Sequence, residues 1–82
     1  MRNYKLHIDL VDLYEYIVEF DLIEYRNMFM IVFVEATDPD EACYLIRKRI
    51  KYSIMNTDSS IKARIACRMV NKLLRIDKVY CL

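Results

Sequence analysis

The sequence predicts an α+β fold: a three-stranded antiparallel meander followed by two helices packed on one sheet face, with a last stretch short enough for a C-terminal strand. Three observations predict it. Apolar and polar residues alternate through the first part of the chain. Thr37-Asp38-Pro39-Asp40-Glu41 carries the signature of a helix start. Beyond it, apolar residues recur at steps of three and four, the period of a helix rather than a strand.

Asn3 to Leu10 sets Tyr4, Leu6, Ile8 and Leu10 on one face and Asn3, Lys5, His7 and Asp9 on the other, the pattern of a half-buried strand. Tyr14 to Leu22 alternates too, with Tyr14, Tyr16, Val18, Phe20 and Leu22 against Glu15, Glu19 and Asp21. A helix over Asp9 to Glu19 competes, because Asp9, Asp12, Glu15 and Glu19 also fall at helical spacing; the β-rich composition favours the strand. Met28 to Val34 is the third strand and is apolar on both faces: Met28, Met30, Val32 and Val34 point one way, Phe29, Ile31 and Phe33 the other.

In the helix start, Asp38 suits the N-cap, Pro39 the first helical position, and Glu41 closes a capping box. The first helix is expected from Pro39 to Met55, with Ala42, Cys43, Ile46, Ile50 and Ile54 as its core stripe. Asn56 to Ser60 is a polar break holding a fresh N-cap. The second helix is expected from Ser60 to Leu74, with Ile65, Ala66, Met69, Val70 and Leu73 inward, widened by Ala63, Cys67 and Leu74. Ile76 to Leu82 suits a terminal strand. No linker or repeat divides the chain, so residues 1–82 form one domain.

A chain of 82 residues buries only about 60% of its unfolded surface, and its stability calls for reinforcement. Three cysteines, Cys43, Cys67 and Cys81, are odd in number and widely spaced, which fits neither a disulfide framework nor a zinc site. Self-association is then the economical reinforcement. Glycine is absent, so turns must rest on Asp, Asn and Ser, and glycine-dependent phosphate loops are excluded. No apolar run approaches the roughly 20 residues that span a bilayer, and no leader-type segment opens the chain. The expected compartment is the cytoplasm, with no membrane partner. The composition, rich in Tyr, Ile, Met, Asn and Lys, is that of an AT-rich genome, as in many bacteriophages.

Charge is split along the chain. Met1 to Glu41 holds ten acids and three bases, net −7, and Ala42 to Leu82 holds ten bases and two acids, net +8. Such asymmetry speaks to partners rather than to fold. Arg64, Arg68, Asn71, Lys72 and Arg75 gather opposite the core stripe of the second helix, a face able to track phosphates, with no aromatic residue among them. Arg47, Lys48, Arg49 and Lys51 are read as circling the first helix without a single basic stripe. Glu15, Glu19 and Asp21 read as a solvated strand face; a row of carboxylates also suits a mimic of DNA phosphates. Neither these acids nor His7 with a cysteine selects a catalytic geometry.

These observations predict a non-enzymatic regulatory protein without metal or cofactor, working through protein–protein contact as a homodimer or higher oligomer, of phage-like composition and acting on a host or phage protein. Phe29, Ile31, Phe33, Tyr44 and Tyr52 are its expected interface, because the third strand and the off-core tyrosines leave apolar surface that one sheet-helix sandwich does not cover. The alternative is a nucleic-acid-binding regulator using Arg64, Arg68, Lys72 and Arg75. Where the acidic and basic faces point discriminates between internal balance, if they oppose each other within one fold, and head-to-tail assembly into rings or filaments, if both point outward.

Overall fold

The alternation at the start of the chain builds the centre of the sheet. In the computed structural model, which describes residues 1–57 and 60–82, β1 (Arg2–Asp9) turns Tyr4, Leu6 and Ile8 into the core and Asn3, Lys5 and His7 outward. Asp58 and Ser59, part of the polar break, lie outside the described residues. β2 (Phe29–Ala36) pairs antiparallel with one side of β1, Arg2 opposite Ala36 and Asp9 opposite Phe29. β3 (Arg75–Cys81) pairs antiparallel with the other side, Tyr4 opposite Cys81 and Asp9 opposite Arg75. The fold is α+β with a three-stranded antiparallel sheet, in the order β2-β1-β3 rather than that of a meander.

The third strand of the sheet is the C-terminal one, because Tyr14 to Leu22 is not a strand. That segment forms a short helix, α1 (Tyr14–Ile17), and tight 3-10 turns at Val18–Phe20 and Ile23–Tyr25. Two periods overlap in these residues. The helical one prevails because Leu10, Leu13, Ile17 and Phe20, three or four apart, all enter the core, whereas Val18, inward by alternation, is about half exposed. Asp9 turns the chain out of β1 by accepting the Val11 N–H on Oδ1 at 2.9 Å. Leu10 N–H donates to Met28 O at 2.6 Å where the excursion rejoins the sheet. With no glycine available, Asp21 takes the left-handed conformation at φ 47°; Asp is among the few residues that tolerate it.

α2 (Pro39–Thr57) starts as its local residues dictate. Asp38 Oδ1 accepts the Glu41 N–H at 2.8 Å, and the Glu41 carboxylate reaches back to the Thr37 hydroxyl at 2.9 Å and the Thr37 N–H at 3.3 Å. The reciprocal half of the box thus lands one residue before the cap. Ala42, Ile46, Ile50 and Ile54 are fully buried, and Cys43 is half-buried. α3 (Ile61–Leu73) is capped by Ser60, whose hydroxyl accepts the Ala63 N–H at 3.3 Å. Its inward side is Ala63, Ala66, Val70 and the following Leu74. Ile65, expected inside, is exposed, and Met69 and Leu73 are only partly buried. Both long helices pack on the sheet face that carries Tyr4, Leu6, Ile8, Val32 and Val34.

Candidate functional site

The opposite face of the sheet carries no helix. On β2, alternation sends Val32, Val34 and Ala36 inward and leaves Phe29, Ile31 and Phe33 outward at 69%, 51% and 60% exposure. Side chains this apolar at this exposure, in a row on one strand, are a contiguous patch of the kind that marks an interaction surface.

β2 is also an edge strand. The hydrogen bond from Leu10 to Met28 O continues the β1–β2 register, so the antiparallel alternation turns the N–H and C=O groups of the even-numbered β2 residues toward β1. Those of Phe29, Ile31, Phe33 and Glu35 point away from the sheet. The three residues with exposed apolar side chains are therefore the ones that offer unpaired strand backbone. One of these acceptors, Phe33 O, takes a 3.5 Å hydrogen bond from Arg49 Nη2 on α2.

The other edge is protected. β3 breaks register between His7 and Ile8, which leaves Asp77 as an extra residue, and it displays Arg75, Asp77 and Lys78 along an exposed surface. A bulge and charges are the usual means of blunting an edge. β2, reading Phe-Met-Ile-Val-Phe-Val-Glu-Ala, has neither bulge nor lysine nor proline.

The structure groups the expected interface residues into neighbouring surfaces. Phe33 from β2 and Tyr52 from α2 line one open groove of about 610 Å³ with Leu45, Lys48 and Arg49. Phe29 and Ile31 line a second, of about 520 Å³, with His7 and Asp77. Tyr44 stands apart, on the side of α2 that faces α3, with Arg47, Lys48, Lys51 and Asn71. His7 lies edge-on to Tyr80 at 5.4 Å, and Lys5 sits 5.9 Å over the same ring.

Of the four bases expected on one helical face, Arg64, Arg68 and Lys72 are exposed on α3. Arg75 is not with them. The chain turns extended at Leu74, and Arg75 opens β3, 4.0 Å from both Asp9 and Asp12. Lys62 meets Glu19 at 3.3 Å and Arg26 meets Asp21 at 3.1 Å. Among the described residues, ion pairs between the acidic and basic halves are thus formed only by Lys62 and Arg75, and the other bases of both helices are exposed or half-buried outside any ion pair. The expectation that the bases of α2 encircle it needs correction. Tyr44, Arg47, Lys48 and Lys51 are spaced at i, i+3, i+4 and i+7, which is one stripe, and only Arg49 stands off it. That spacing is legible in the sequence.

The thiols of Cys43 and Cys67 are held above the ordinary range by burial, opposed by Arg47 beside Cys43 and by Lys51 beside Cys67, while Asp40 adds to the rise at Cys43. Burial, with Glu24 adding to it, raises the Tyr25 phenol. No cysteine lines the groove that holds His7 and Asp77. Among the described residues, no three of His, Cys, Asp and Glu gather closely enough to hold a metal ion, and no helix is long and apolar enough to cross a membrane. No protein-family model matches the chain, and neither a curated protein nor a solved structure matches it.

Proposed function

We propose that this chain is a small non-enzymatic regulatory protein that works as a homo-oligomer, most simply a two-fold dimer, joined edge to edge along β2. What carries the reading is one coincidence: Phe29, Ile31 and Phe33 hold both the exposed apolar side chains and the outward backbone groups of an eight-residue edge strand without bulge, lysine or proline, on which Arg49 occupies the Phe33 carbonyl. Such an edge templates pairing with another strand.

Antiparallel pairing of two copies about an axis opposite Val32 sets Ile31 against Phe33 of the second copy and Phe29 against Glu35. All the outward backbone groups of β2 then find partners, and two three-stranded sheets become one of six strands. The outward apolar side chains interleave across the axis and lose water together, the term that dominates association. Because burial rather than charge drives it, the dimer persists in high salt, and the contact is isologous and closes on itself.

Light scattering after size exclusion, at low and high salt, tests this. A discrete dimer at both ionic strengths agrees with it. A monomer at micromolar concentration contradicts it.

A further inference from the structure

On the other side of Lys48 from the groove that holds Phe33, α2 and α3 border a second groove of about 370 Å³ lined by Tyr44, Arg47, Lys48, Lys51 and Asn71, with no carboxylate in its lining. From this we infer that the chain binds single-stranded nucleic acid there, its phosphates on the two helices and a base against Tyr44.

The charge of this surface is concentrated, and little of it is in ion pairs. Between Ala42 and Leu74 the chain carries eight bases and a single acid, Asp58. Among the described residues, only Lys62 of those eight bases is in an ion pair. Four of the ten N-terminal acids are held in ion pairs outside the groove lining: Asp9 and Asp12 with Arg75, Glu19 with Lys62, Asp21 with Arg26. Like charges crowded without counter-ions raise the free energy of the folded chain, and a polyanion relieves that.

The geometry is that of a track. Arg47, Lys48 and Lys51 occupy one wall, three and four residues apart on α2. Asn71 is the α3 residue in the lining, and Arg64 and Arg68 lie seven and three residues before it, hence on its side of the helix, which extends the basic surface beyond the groove by about 10 Å. The Arg47 guanidinium is braced by a 3.4 Å hydrogen bond to Cys43 O, which leaves further donors of its fork free. Tyr44 is 60% exposed at the groove margin, with the Lys48 ammonium 6.0 Å over its ring.

A basic groove flanked by an exposed aromatic ring fits a single strand better than a duplex, whose bases are stacked away from side chains. It also fits better than an anionic membrane, which asks for basic residues beside apolar anchors on one face.

The test is fluorescence anisotropy of the full chain with a labelled single-stranded DNA of about 20 nucleotides, between about 0.05 and 0.3 M salt, where each phosphate contact contributes a log–log slope of about −0.7. The expected slope is about −2 or steeper. Replacing both Arg47→Gln and Lys51→Gln flattens it by about 1.4 and weakens binding roughly fifty-fold at the lowest salt. Arg64→Gln with Arg68→Gln, both on exposed positions, does the same and covers the case in which the first pair fails to fold. Tyr44→Ala weakens binding without changing the slope. Arg2→Gln with Lys78→Gln, an equal charge loss on the sheet side, leaves affinity within about twofold, since the track is untouched. Binding persists in an Ile31→Lys chain, so its failure is separable from failure of the dimer. The inference is overturned by an absence of binding at low salt. Equal losses in the groove and sheet-side variants, tighter binding to the duplex, or tighter binding to phosphatidylserine vesicles than to the oligonucleotide each overturn it as well.

Discussion

Arg49 donates from α2 to the backbone carbonyl of Phe33, at 3.5 Å, and so occupies one outward acceptor of the β2 edge. The bond is long and exposed, and it competes with any strand that pairs there. A net hydrogen bond is worth about 0.5–1.5 kcal/mol. The bond is displaced in both copies of a two-fold dimer, so Arg49→Ala tightens self-association by a factor of about 5–150, read from the concentration dependence of the scattering mass; a looser dimer would show that Arg49 supports the contact instead.

Ile31 sits mid-edge, half exposed, with its backbone groups outward. Ile31→Lys installs the charge that protected edges carry. The dimer dissociates by at least about tenfold relative to wild type, while the far-UV circular dichroism of the monomer stays unchanged because the residue does not enter the core.

The stability of the single chain rests on the other sheet face. Leu6→Ala and Ile50→Ala remove fully buried side chains from β1 and α2 and each cost about 2–5 kcal/mol in urea unfolding. Asp38→Ala removes the cap on Glu41 N–H and costs about 1 kcal/mol. Asp21→Val forces a β-branched residue into the left-handed region and costs about 1–2 kcal/mol.

Burial raises Cys43 and Cys67 above the ordinary thiol value of 9.0 and Tyr25 above the ordinary phenol value of 10.0. The folded state therefore holds these protons longer than the unfolded one. Their contribution to stability is intact below pH 9.0 and is lost as pH rises through the folded-state values, so urea midpoints stay level through neutrality and fall on the alkaline side. Alkylation at neutral pH follows exposure: exposed Cys81 reacts first, half-buried Cys43 and Cys67 slowly, as peptide mass mapping reads.

Where local chemistry decides the structure, the residues announce it. Tyr4, Leu6 and Ile8 alternate because β1 is buried on one side, and Thr37 to Glu41 start α2 because short side chains there satisfy open helix donors. Phe29, Ile31 and Phe33 are legible as surplus apolar surface for the same reason. Tyr14 to Leu22 is ambiguous because it satisfies both periods at once, and only the packing of Leu13, Ile17 and Phe20 against the core selects the helical one. The order β2-β1-β3 rests on pairings far apart in the chain, which no local pattern encodes. Arg75 left the helical face because α3 stops at Leu73, two residues short of it. The Tyr44–Lys51 stripe was readable from spacing alone; its partner wall required the packing of α3.

The most direct test of the β2 edge is amide hydrogen exchange, resolved by residue, at concentrations above and below dimer formation. The account predicts that Ile31, Phe33 and Glu35, whose amides point away from β1, become protected with concentration, while Met30, Val32 and Val34 are protected throughout. Fast exchange at Ile31 and Phe33 at every concentration would contradict it.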